Sequence, residues 1–155
     1  MRSLQLALVR WFSRFIGWLG AERLRRIMAR RRRRTLLLGL IFGAMPRAVG
    51  RRARERENVV IGWRITGRSD GRADLRQLVI ENGAVELLPG EPREADLEIS
   101  MDGADLLLVA TGHAFAPSLF LRERIEIEGD LWLAMRLERI FRISGRRQGV
   151  SQPPA

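Results

Sequence analysis

From residue 58 onward apolar and polar positions alternate. In NVVIGWRITG, residues 58–67, Val59, Ile61, Trp63 and Ile65 fall on one side and Val60, Gly62, Arg64 and Thr66 on the other, the two-residue period of a strand with one apolar face. A loop, GRSDGR, leads to a second strand near Asp74 to Glu81. Asn82-Gly83 then stands between apolar runs; a type I′ turn needs positive φ at both central positions, so this pair predicts a hairpin. ELLPGEPREADLEISM supplies a proline-broken turn and a fourth strand, with Ala95, Leu97, Ile99 and Met101 on one side. In RIEIEGDLWLAMRLERIF, residues 124–141, the period changes midway. Ile125 and Ile127 alternate with Glu126 and Glu128, and after Gly129-Asp130 the apolar residues fall at spacings of three and four. A fifth strand therefore feeds a helix, with Asp130 as N-cap and Gly129 at the bend. Leu131, Trp132, Leu133, Ala134, Met135, Leu137, Ile140 and Phe141 cover more of that helix than one core contact requires.

Between strands four and five, DGADLLLVATGHAFAPSLFLRER predicts a short helix capped by Asp102, with Asp105 in its first turn, and a second near Pro117 to Leu121. Leu106 to Ala110 are apolar all round, which buries the first of these from more than one side. At the start of the chain, Leu4, Leu8, Trp11, Phe12, Phe15, Ile16 and Leu19 share one helical face, with Arg2, Gln5, Arg10, Ser13 and Arg14 away from its centre. A second helical segment spans about Glu22 to Met45 and is ended by Pro46. Gly39 and Gly43 are spaced for close helix packing. The fold class is α+β: a five-stranded, mainly antiparallel sheet with helices over one face, preceded by an N-terminal helical basic arm.

Charge sharpens this division. Residues 1–57 hold 16 arginines against 3 acids, a net +13, whereas residues 58–155 hold 12 arginines against 15 acids, a net −3. The organisation expected is a basic amphipathic arm over 1–34, a domain over 35–145 and a disordered tail over 146–155. Arg2, Arg10, Trp11, Arg14, Phe15 and Trp18 combine cations with interfacial aromatics and are the candidate contacts to an anionic membrane surface. The apolar run TLLLGLIFGAMP is 12 residues, short of the roughly 18 needed for a span. Arg10 and Arg14 interrupt any signal-peptide core. The location expected is cytoplasmic with peripheral membrane association. Five successive arginines, Arg30 to Arg34, sweep about 500° on a helix and so form no single reading face, which leaves nucleic acid the weaker partner.

The quoted segments carry a resemblance. ADLEISMDGADLLLVATG followed by LFLRERIEIEGDLWLAMRLERIF resembles the sterol carrier protein type 2 family, through Ala104-Asp105-Leu106, Glu128-Gly129-Asp130 and the helix Leu131 to Phe141. VVIGWRITG through RQLVIENGAVEL, with FGAMPRAV before it, is similar to bacterial members, and the likeness covers roughly residues 40–142. The resemblance implies a sheet capped by helices around an apolar tunnel that holds sterols, acyl chains or other lipids. By resemblance and pattern together, Trp63, Leu107, Phe115, Phe120, Met135 and Phe141 are the candidate wall residues. Trp132 is larger than the family pattern suggests and is expected to narrow the tunnel. The function implied is a non-catalytic lipid carrier; the alternative is an accessory protein presenting a hydrophobic intermediate, such as a polyprenyl quinone precursor, to biosynthetic enzymes.

Catalytic chemistry has little to stand on. There is no cysteine, so no thiol nucleophile or thiolate metal site, and the single histidine, His113, lies in TGH with no nucleophile or ligand beside it. Glu126, Glu128 and Asp130, with Asp96 and Glu98, offer carboxylates, but alternating acids on an open sheet face are ordinarily a solvated surface. Neither G-x-x-x-x-G-K-[ST] nor G-x-G-x-x-G occurs. No cofactor and no metal are expected.

Overall fold

The computed structural model describes residues 21–141. The expectations for Arg2, Arg10, Trp11, Arg14, Phe15 and Trp18, and for the tail over 146–155, lie outside the described residues. Helices α1 (Ala21–Ala29), α2 (Arg31–Ala48) and α3 (Arg51–Arg56) precede strands β1 (Val59–Thr66), β2 (Asp74–Glu81), β3 (Ala84–Pro89) and β4 (Leu97–Asp102). Helices α4 (Gly103–Ala110) and α5 (Ala116–Leu121), strand β5 (Ile125–Gly129) and helix α6 (Leu131–Ile140) follow.

The five strands lie in the order β3-β2-β1-β4-β5. β1 pairs in parallel with β4, and the other three pairings are antiparallel. The parallel pair sits at the centre because β2 and β3 form a meander on one side, and the chain returns past residues 90–96 to lay β4 on the other. Asn82 and Gly83 turn the β2–β3 hairpin at φ of 50° and 82°, the mirror-image conformation that the Asn-Gly pair predicts. The register puts Ile61, Trp63 and Ile65 beside Leu97, Ile99 and Met101 on one face, and with Leu78 and Ile125 these form the floor of the core.

The helices cover that face. Asp102 and Asp130 cap α4 and α6 as expected, accepting from the backbone N–H groups of Ala104 (2.7 Å) and Leu133 (3.0 Å). The segment expected as one helix from Glu22 to Met45 is instead two, because Arg30 is extended and starts α2 afresh. Pro46 does not end α2 but sits inside its last turn, where few bonds remain to be lost. Arg54 of α3 then donates to the carbonyls of Pro46 and Val49, groups the helix end leaves free. Among the described residues nothing packs against Gly39 or Gly43.

Residues 21–34, read from sequence as part of the arm, contribute to the core. Leu24 and Met28 are each 1% exposed, and the Arg34 side chain is buried. Arg34 Nε donates to Asp74 Oδ2 at 2.7 Å and its Nη2 donates to the carbonyls of Ile65 and Thr66 at 2.8 Å, fastening the start of α2 to the ends of β1 and β2. No helix among the described residues is long and apolar enough to cross a membrane.

Candidate functional site

Trp63 stands at the centre of the inner sheet face, and two aromatic rings meet it at steep angles. Phe42, from α2, lies with its ring centre 6.4 Å away at 71°, and Phe141, at the C-cap of α6, lies 6.2 Å away at 65°. Leu107 of α4 is buried in the same core. Helix α6 closes this space by turning Leu133, Ile140 and Phe141 inward.

Few polar contacts hold α6 down. The Gly50 N–H donates to the Ile140 carbonyl at 2.8 Å, and Arg136 pairs with Glu57 at 3.1 Å. The helix leaves β5 through Gly129 at φ 99°, where a Cβ would lie 2.4 Å from the Asp96 carbonyl oxygen. Only glycine fits that corner. On the far side, Arg124 makes a two-pronged pair with Asp105, with Nε donating to Oδ2 at 3.1 Å, and this ties α4 to the turn before β5. Burial pushes the Asp105 carboxyl above its ordinary value, outweighing the attraction of Arg124.

The candidate wall residues divide. Trp63, Leu107 and Phe141 meet in the interior, whereas Phe115, Phe120 and Met135 are exposed, at 64%, 43% and 65%. Trp132 does not narrow the interior as expected, since it is 75% exposed and points away. The reason is the phase of α6: Leu133, Leu137 and Phe141 follow the inward line at steps of four, which leaves Leu131, Trp132 and Met135 on the opposite side. Phe42 was missed. Its signal was the spacing of Arg34, Leu38 and Phe42, four residues apart along the buried side of α2, obscured by a run apolar on every side.

Where the resemblance implies a tunnel, side chains of α2, α4 and α6 pack on the inner face of the sheet as one apolar cluster. Two recesses in the described surface are polar. One, of about 280 Å³, lies at the strand ends beside residues 93–96, and the other, of about 230 Å³, is lined by Arg64, Glu98, Ser100, Glu126 and Glu128 on the outer sheet face. There Arg64 pairs with Glu98 at 2.8 Å and Glu91 at 3.1 Å. The other two carboxylates of the expected acidic group are used elsewhere, Asp96 accepting from the Val60 N–H at 2.7 Å and Asp130 capping α6. His113 is exposed, its ring 3.0 Å from the Thr111 hydroxyl.

Residues 49–142 match the model of the SCP-2 sterol transfer family. The chain belongs to that family. Sterol carrier protein 2 of Rattus norvegicus is 36% identical over 59 residues, which is 38% of this chain and 11% of that protein. The chain thus aligns with about a tenth of the length of the curated relatives it matches. Among solved structures, the sterol carrier protein domain 2 of Helicoverpa armigera superposes with a TM-score of 0.62 at 16% identity, covering 73% of this chain and 91% of that one. The palmitated SCP2L2 of Aedes aegypti superposes at 0.52 and 17% identity, covering 69% and 92%. In this SCP-2 family chain the family match begins at Val49, after α1 and α2, yet those helices supply Leu24, Met28, Leu38 and Phe42 to the core.

Proposed function

We propose that this chain is a non-catalytic lipid carrier that takes an apolar guest between the inner sheet face and α6 and exchanges it at anionic membrane surfaces. The observation that carries the reading is an aromatic centre, Phe42, Trp63 and Phe141, lying under a helix that two polar contacts join to the segment around Gly50 and Glu57. Family membership and the palmitated fold neighbour support it. Burying one CH₂ is worth about 0.8 kcal/mol relative to water, so a sixteen-carbon guest gains about 13 kcal/mol on entry, and about as much in a bilayer. Burial of the guest alone therefore favours neither site, and docking spares the guest the aqueous step.

The membrane contacts proposed are Arg2, Arg10, Trp11, Arg14, Phe15 and Trp18, with the exposed Arg30 to Arg33 beside them in sequence. Native mass spectrometry and lipid extraction of the full chain test the first half: co-purifying lipid is expected, and a ligand-free chain that takes up no apolar probe would sink it. Flotation with anionic liposomes tests the second, comparing the full chain with one lacking residues 1–20. The truncation stops there because Leu24 and Met28 belong to the core. Equal flotation of both forms would remove the arm from the proposal.

The second reading, presentation of a hydrophobic intermediate to biosynthetic enzymes, gains from the exposed Phe115, Leu121, Trp132 and Met135, which suit a protein partner. Co-purification of an enzyme complex that is lost on changing these residues favours it over free transfer. A nucleic-acid role loses ground with Arg34 buried in an ion pair, and a shallow salt dependence of any RNA or DNA binding would end it.

A further inference from the structure

Trp63 carries a polar atom for which the described residues supply no partner. Among the described residues three buried side-chain nitrogens lack one: Arg34 Nη1, Trp63 Nε1 and Arg136 Nε. The two arginines engage their other N–H groups, Arg34 with Asp74, Ile65 and Thr66, and Arg136 with Glu57. Trp63 has one donor and no alternative. The residue is 7% exposed, and buried donors in folded proteins are almost always paired.

Its surroundings explain why nothing among the described residues satisfies it. Phe42 and Phe141 bring only ring carbons and hydrogens, at steep angles to the indole, Ile99 is its register partner on β4, and Ile61 and Ile65 flank it on the same face of β1. Its register partner on β2 is Arg76, whose side chain is donor-only. A water molecule held there would need two or more polar partners, including acceptors, and these side chains offer none. A phenylalanine would fill the same space without the unpaired N–H. What is missing is an oxygen acceptor brought from outside.

We infer that Trp63 Nε1 is the polar anchor of the guest: the lipid binds with an oxygen-bearing end, a hydroxyl or carboxylate, turned inward to the indole N–H, and its hydrocarbon running outward beneath α6. This rests on the carrier reading and adds to it the class of ligand and its direction. An acceptor-free hydrocarbon of the same length fits the apolar space but leaves the donor unpaired.

The test uses the full chain with its four tryptophans labelled with nitrogen-15. Trp63→Phe assigns the Trp63 indole resonance by its disappearance. Dodecanoate, 1-dodecanol and dodecane, delivered from cyclodextrin, are then titrated in. The first two are expected to move the Trp63 indole proton downfield and dodecane is not; in Trp63→Phe the affinity for the two oxygenated probes falls about 5- to 10-fold, while that for dodecane stays within about twofold. If all three probes bind but the indole proton of the unaltered chain stays in place, or the substitution weakens all three equally, the ring is only filling space and the inference is overturned. If that variant folds poorly, substituting Trp11, Trp18 and Trp132 singly assigns the Trp63 indole by elimination, so the unaltered chain still gives its answer. Binding by none of the three would remove the carrier reading and this inference with it.

Discussion

Arg34 and its neighbours Arg31 to Arg33 are one run in the sequence and two kinds of residue in the fold, and substituting them singly separates the two. The Arg34 side chain is 4% exposed and makes an ion pair with Asp74 and two bonds to backbone carbonyls. Breaking a buried pair from one side costs about 3–5 kcal/mol, chiefly through the partner left uncompensated. Here Asp74 keeps Arg68 at 2.9 Å and is itself 23% exposed, so its own penalty is softened, while the Ile65 carbonyl belongs to a residue with no exposure. Arg34→Met therefore costs about 3 kcal/mol, the lower end of that range. The exposed Arg31, Arg32 and Arg33 make no such contacts among the described residues, and their methionine variants are expected to stay within about 0.5 kcal/mol. With a urea slope of about 2 kcal/mol/M, the Arg34 loss lowers the midpoint by about 1.5 M. Arg34→Lys falls between, because an ammonium keeps the charge but lacks the planar fork that reaches Asp74 and both carbonyls together. The measurement is urea unfolding followed by far-ultraviolet circular dichroism. Midpoints for Arg34→Met and Arg33→Met that coincide would refute the assignment of Arg34 to the core.

At the corner before α6, Gly129→Ala forces a side chain against the Asp96 carbonyl at a φ of 99° and is expected to cost about 2–4 kcal/mol, read as a lowered urea midpoint; an unchanged midpoint would mean the corner is not built as described. Asp105 sets a pH dependence: burial raises its folded pKa above 3.8, so its contribution to stability is complete below that pH and is lost as pH rises through the folded value. The gap in midpoint between Asp105→Asn and the unaltered chain therefore moves in favour of the asparagine across that window, and movement the other way would show that Arg124 outweighs burial.

What sequence reading recovered and what it lost have different physical roots. The hairpin at Asn82-Gly83 and the caps Asp102 and Asp130 are local devices, fixed by φ or by bonds to N–H groups two or three residues on, and they stand where the pattern put them. The alternation in β1 gave its inner face correctly. Its parallel partner, β4, was not readable, because pairing depends on where the chain returns and not on either strand alone. Gly39 and Gly43 illustrate a related point: spacing shows that two glycines share a face, not what lies against it, and no described residue does. Among the candidate wall residues, those on β1, in α4 and at the end of α6 fell inside. Phe115, Phe120 and Met135 fell outside, where a helix apolar on several sides has no periodicity left to set its phase. Arg34 is the plainest case. Nothing within an arginine run marks which member meets Asp74, forty residues away in the chain.

On the carrier reading, the packing of α6 on the sheet sets an energetic condition on loading. To admit a guest, α6 must withdraw Leu133, Ile140 and Phe141, at about 1.5–3 kcal/mol each, or roughly 5–9 kcal/mol if they are left in water. A sixteen-carbon guest taken from water gains about 13 kcal/mol and covers that cost; the same guest taken from a bilayer gains nothing comparable, because it was already in hydrocarbon. Loading from a membrane is then uphill by nearly the whole opening term unless the withdrawn side chains enter an apolar phase themselves. A helix lifted at a bilayer surface would, on the carrier reading, find them one, and its opposite side exposes Leu131, Trp132 and Met135. On the carrier reading, contact with a membrane is therefore part of the opening step as well as a way of shortening the journey. A chain that closes again on leaving the membrane holds its guest against water by only the difference between the two terms, a margin suited to handing lipid on and poorly suited to storing it.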